Sequence, residues 1–193
     1  MGRNSVTAMS TLEIRTCANK LRKLLGYELK CAIYPSILFD QLSIYFANQG
    51  LSFNYQILPD DDKLFGLFDE AMTDMQTGTI YIKESIMKQA CDMSNRRSIF
   101  TLMHELGHYL LHYVQSDVKF KRVSSSTVVP AYCDPEWQAD TFASELLMPF
   151  DAVKNMDSEE IRKTFHVSKT AAEVRYRKVQ KESWANTKSI FSK

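Results

Sequence analysis

The chain has 193 residues, with 24 Lys+Arg against 23 Asp+Glu, four His and four Cys. That length gives room for one domain plus a short appendage and for a core that needs no disulfide staples. With 45% hydrophobic and 24% charged residues it excludes collagenous, low-complexity and wholly disordered classes, and a net charge of +1 excludes nucleic-acid binding by the whole surface.

The stretch Met1 to Val6 has no apolar core, so no secretory signal is expected there, and Val6 stands where a myristoylation motif wants Ser or Thr. Cys17, Cys31, Cys91 and Cys133 are scattered without a C-x-x-C pair and read as reduced thiols of a cytoplasmic protein. No run approaches the roughly 18 apolar residues that a membrane span requires.

Ser10 or Thr11 caps a predicted helix carrying Leu12, Ile14, Ala18, Leu21, Leu24 and Leu25 and ending at Gly26. Pro35 and Ser36 open a second, from Ile37 to about Asn48, closed by Gly50. Leu51, Phe53, Tyr55 and Ile57 alternate with polar residues, the period of a half-buried strand. Asp60-Asp61-Asp62 lacks the EF-hand spacing and reads as a solvated turn. Leu64 to Met72 reads as a strand interrupted at Gly66, and Thr79 to Ile82 as a short strand after a turn. The expected assembly is a small antiparallel sheet behind two helices.

From Ser98 to about Val114 the period is helical, with Ile99, Leu102, Met103, Leu106, Leu110 and Tyr113 forming a core-facing stripe. His104 and His108 fall on nearly the opposite face, within His104-Glu105-Leu106-Gly107-His108, an H-E-x-x-H motif. Residues i and i+4 of a helix lie one above the other, so both imidazoles can reach one metal ion, with Glu105 beside them turned towards water rather than towards the ion. His112 continues the series, but a straight helix rises about 6 Å per four residues, too far for three such ligands to converge. Nor does it fit the longer metzincin spacing, and it is expected to be a structural or supporting residue.

A third ligand is available downstream. Asp134-Pro135 is a helix start, and Glu136 and Asp140 share one face of the helix that follows, which ends at Met148-Pro149. Glu136 is the candidate third ligand, and Asp140 the candidate acceptor for the ring N–H of a ligand histidine. These two acidic residues would also suit a helix N-terminus for its dipole alone; the upstream histidines favour ligation.

The run His104 to Leu111, together with Glu136-Trp137-Gln138-Ala139-Asp140-Thr141-Phe142-Ala143-Ser144-Glu145-Leu146-Leu147-Met148-Pro149, resembles the ImmA/IrrE family of zinc metallopeptidases, over roughly residues 30–180. Arg96 to Thr101 and the strand Thr79 to Ile82 are similar to the family's pattern too, whereas Asp140 stands where many members have Asn. The resemblance implies an α+β, zincin-like fold, with His104, His108 and Glu136 as zinc ligands and Glu105 as catalytic base. It implies a site-specific cut in a protein substrate, a helix-turn-helix transcriptional repressor in a stress response or mobile element. Tyr132, Tyr109 and His166 are open choices for an oxyanion donor.

The expected division is a metallopeptidase domain over residues 1–150 and a basic helical segment over residues 151–193. Residues 161–193 hold nine basic and two acidic side chains, a balance of +7 that leaves −6 for residues 1–160. Asp157 with Glu160 forms a capping box, Phe165 to Ser168 is a break, and Ser168 caps a last helix carrying Arg175, Arg177, Lys178 and Lys181. The pair resembles a helix-turn-helix, which leaves DNA binding open. We read it instead as packing against the catalytic body, with residues after Trp184 as a loose end. The rival to the enzyme is a non-hydrolysing zincin-like regulator that grips a partner protein or DNA; a further rival is a purely structural metal site.

Overall fold

The computed structural model describes residues 3–66, 69–114, 121–123 and 129–191. Ser10 accepts from the Glu13 N–H while the Glu13 carboxylate accepts from the Ser10 N–H, and this capping box starts α1 (Thr11–Leu24). Pro35 stands at the start of α2 (Pro35–Asn48). With β1 (Arg3–Ser5) before them, these elements precede the sheet strands β2 (Asn54–Leu58), β3 (Ala71–Asp74) and β4 (Thr79–Lys83). Helices α3 (Glu84–Cys91) and α4 (Arg96–His108) follow, the latter running on as a π-turn over Tyr109–Val114. A short strand β5 (Lys121–Val123) pairs antiparallel with β1. Then come α5 (Pro135–Leu147), the single turn α6 (Phe150–Val153), α7 (Ser158–Phe165) and α8 (Lys169–Phe191).

The main sheet has the order β2-β4-β3 and is mixed rather than antiparallel. β3 and β4 form a hairpin, closed where the Gly78 N–H donates to the Asp74 carbonyl and Gly78 adopts φ +63°. β2 lies on the other side of β4 and runs parallel to it, Asn54 opposite Thr79. Alternation of apolar residues reports burial and is silent on direction, so the expected antiparallel pairing is corrected here. Of the expected strand Leu64 to Met72, Ala71 and Met72 fall in β3, residues 64–66 and 69–70 do not, and Leu67 and Phe68 lie outside the described residues. The Asp62 side chain accepts from the Leu64 N–H, and that of Asp69 from the Gly66 N–H, local bonds that compete with a sheet ladder.

The helices lie against this sheet. Ile80 and Ile82 of the central strand are fully buried, as are Leu38 and Leu42 of α2 and Leu102, Met103 and Leu106 of α4. Phe53 sits edge-on to both Phe39 and Tyr109, with ring centroids 5.4 and 5.1 Å away. Helix α4 packs on α5 at a close approach. A Cβ at Gly107 would stand 3.1 Å from the Ala139 Cα, so the glycine inside the histidine motif is what lets the two motif helices come together.

The C-terminal helices are fastened by a buried charge network. The Glu145 carboxylate, fully buried on α5, takes two bonds from Arg175 of α8 at 2.6 and 3.0 Å and one from Arg15 of α1 at 3.0 Å. Arg15 also binds Glu182 at 2.8 and 2.9 Å. Arg175 therefore faces the core. Helix α8 runs on to Phe191, so the expected loose end after Trp184 is corrected to helix. Among the described residues no helix is long and apolar enough to cross a membrane.

Candidate metal centre

Helix α4 starts at Asn95, whose side chain accepts from the Arg97 N–H, and its pitch stacks His104 and His108 on one face with Nε2 atoms 3.0 Å apart. Helix α5 starts at Asp134, whose side chain accepts from the Glu136 N–H, which places Glu136 in the first turn, facing the histidines. Its carboxylate oxygens lie 3.3 Å from His104 Nε2 and 3.6 Å from His108 Nε2. One donor atom from each of His104, His108 and Glu136 falls within 4.8 Å of the other two. The three residues expected to bind metal are thus brought together.

The backs of both rings are engaged. Asp140 Oδ1 lies 2.9 Å from His104 Nδ1 and accepts its proton. Behind His108 runs a chain of bonds whose direction follows from donor bookkeeping. The Gln138 amide nitrogen donates to the carbonyls of Thr7 and Tyr132, at 2.9 and 2.7 Å, so its oxygen faces His112 Nε2 at 2.9 Å and accepts from it. Burial pushes His112 down to about 4 against the pull of its bond to Gln138, so it is neutral and its Nδ1 is an acceptor. That acceptor lies 3.2 Å from His108 Nδ1, which must donate. Both His104 and His108 therefore turn an Nε2 lone pair towards Glu136.

Two lone pairs 3.0 Å apart beside a carboxylate need a cation or a proton between them. Without a metal ion, that role falls to a proton on His104. Burial opposes the charge, but hydrogen bonds to Asp140 and Glu136 and the charge of Glu105 outweigh it and hold His104 up at about 10. The hydrogen bond from His104, with the His108 ring beside it, holds Glu136 well below the ordinary carboxylate range. Two imidazoles and a carboxylate, with ring orientation fixed from behind, fit zinc.

Glu105 is not part of that triad. Its Oε2 lies 2.7 Å from the Thr73 hydroxyl, which is also 3.0 Å from the Glu105 carbonyl. Thr73 belongs to β3, an edge strand, so the carboxylate is fastened to the sheet side of the cleft. Met72, Thr73, His104, Glu105, His108 and Glu136 line this cleft together. Tyr109 is buried with its hydroxyl on the Ser52 carbonyl, Tyr132 lines a separate hollow with Met9 and Trp137, and His166 ends α7. None of these three open choices lines the cleft among the described residues.

Sequence reasoning missed Thr73 and the Gln138 bonds. His112 carried a signal, its spacing of four from His108; Thr73, 32 residues from Glu105, carried none.

A family model described as IrrE N-terminal-like domain (Peptidase_M78) matches residues 64–177, more than half of the chain. No curated protein matches. Among solved structures the chain is similar to a Mycobacterium tuberculosis transcriptional regulator, at 12% identity and a TM-score of 0.48. That alignment covers 83% of this chain and 45% of the regulator, so the chain spans less than half of that protein's length.

Proposed function

Because the chain belongs to the IrrE N-terminal-like domain family, we propose that it is a zinc-dependent endopeptidase that makes a site-specific cut in a protein substrate. His104, His108 and Glu136 hold the ion, Asp140 and His112 fix the two rings, and Glu105 is the general base. The observation that carries this reading is the position of Glu105. It shares the cleft with the three donors, is 9% exposed, and is held by Thr73 rather than by the ligand triad.

A zinc ion held there would supply Lewis acidity towards a carbonyl and make water easier to deprotonate. The chain's own residues do the rest. An extended substrate segment lies along the outer edge of β3, with its scissile carbonyl over the cleft. Glu105 takes a proton from the attacking water and returns it to the leaving amine nitrogen as the C–N bond breaks. Thr73 keeps that carboxylate from swinging into the metal triad. The resemblance to ImmA/IrrE peptidases makes a helix-turn-helix repressor the substrate of choice. The neighbouring gene is the place to look for it.

The test pairs metal analysis with cleavage of such a repressor. Glu105→Gln is expected to retain zinc and lose cleavage, and Glu136→Ala to lose both. Undiminished cleavage by Glu105→Gln would refute the mechanism. Salt-sensitive DNA binding with no cleavage by wild type would favour the regulator reading instead.

A further inference from the structure

A groove of about 490 Å³ opens between α4, α5 and α8. Asp140, the residue that bonds His104, is among its lining residues, so the groove reaches the side chain behind one ligand ring. Its apolar lining comes from Phe100, Leu147, Val167, Ala171 and Val174. Leu147 and Val167 are buried as a floor, while Phe100 is half-buried and Val174 is 37% exposed. The rim is basic. Arg96, Arg97 and Lys178 all line the groove and all are exposed. A shallow hollow that shares Arg96, Arg97 and Ser168 extends the basic rim to Lys169.

We propose that this groove is a docking site for a segment of the protein substrate that carries apolar side chains flanked by Asp or Glu. The inference rests on the peptidase reading and adds the substrate's chemistry to it. Two features choose the occupant. An apolar floor with a basic rim complements a peptide that is apolar inward and acidic outward. Asp140 ties the groove to the metal site, since it both lines the groove and bonds a ligand histidine. A nucleic acid fits less well, because a phosphate backbone has nothing to place on Leu147, Val167 and Val174. Moreover, Arg175 of the basic segment is turned inward onto Glu145. The start of α8 thereby acquires a role as one wall of the substrate groove, and the segment's positive charge acquires a reason to sit beside a more acidic body.

The test uses the full-length, zinc-loaded Glu105→Gln protein and a random peptide library. The expected result is enrichment of peptides in which Leu, Ile, Phe or Met are bracketed by Asp or Glu. Adding Arg96→Glu and Lys178→Glu, both at exposed positions, should weaken the selected peptides about tenfold, as a few screened charge contacts would supply. The same panning on that variant should select Lys and Arg in place of Asp and Glu. Lys178→Glu alone gives the same direction with a smaller loss and leaves α4 untouched. Selection without acidic enrichment, selection unchanged by the charge reversals, or displacement of the peptides by duplex DNA would each overturn the groove assignment. Wild-type zinc protein is then offered the selected peptides. If they bind yet stay uncut, the peptidase reading fails while the groove stands. If the protein cuts peptides without regard to acidic flanks, the groove fails while the peptidase reading stands.

Discussion

Replacing Glu145 with leucine keeps the volume and removes the one carboxylate that two guanidiniums share. Arg15 retains Glu182 as a partner, so the damage concentrates at Arg175. That side chain is 4% exposed and would be left with only the Met148 carbonyl, 2.9 Å from its Nε. Stranding one member of a buried ion pair costs about 3–5 kcal/mol. At about 2–4 °C per kcal/mol for a domain of this size, melting should fall by roughly 6–20 °C. Thermal and urea denaturation of Glu145→Leu beside the double variant Glu145→Leu/Arg175→Met measure it. In the double variant no guanidinium is stranded on the α8 side, and at least half of the lost stability should return. A single-variant loss below about 1 kcal/mol, or a double variant no more stable than the single one, would refute the view that this carboxylate holds α8 to the body.

Four further outcomes concern the site. His104, held up at about 10, carries a proton at neutral pH when no metal is bound, so zinc uptake at pH 7 should release about one proton per ion, fading above pH 10. Calorimetry in buffers of different ionisation enthalpy reads this. By the same shift, the metal-free protein loses stability as pH rises from 6.5 towards 10, since the proton stabilises the folded form below that window. Gln138→Leu should weaken zinc about 10- to 100-fold with helical content kept, because His112 loses the acceptor that sets its tautomer; competition with a chelator gives the value. Thr73→Ala should lower kcat about tenfold at constant zinc content and KM, since it frees the Glu105 carboxylate without touching the ion.

Much of the centre was legible because it is local. His104 and His108 are one helical turn apart, and Glu136 and Asp140 likewise, so spacing alone sets which side chains share a face. Asp134 and Asp157 mark helix starts through bonds within three residues, Pro135 does so through its fixed φ, and the structure has helices starting there. What escaped was long-range. The direction of β2 depends on the path of the chain between strands, which periodicity does not encode. Thr73 meets Glu105 only because the sheet folds back onto α4. Glu145 and Arg175, 30 residues apart, read as ordinary charged residues of two amphipathic helices until their helices cross. The helix after β4 was missed because the sequence reading stopped at Ile82, although the apolar positions of Ile86, Met87 and Ala90 repeat at helical spacing.

The Gln138 side chain does more than orient a ring. Residues 6–9 run beside the 3₁₀ turn Ala131–Cys133, the Val6 N–H donating to the Cys133 carbonyl and the Met9 N–H to the Tyr132 carbonyl. Gln138 grips both strips, through the carbonyls of Thr7 and Tyr132. Residues 6–9 and the candidate metal site are therefore linked through one side chain. Closing that link at the metal end should slow hydrogen exchange at the Val6 and Met9 amides, and prising residues 6–9 away should loosen the ion. Any molecule that competes for that strip would act as a brake on a centre it never touches.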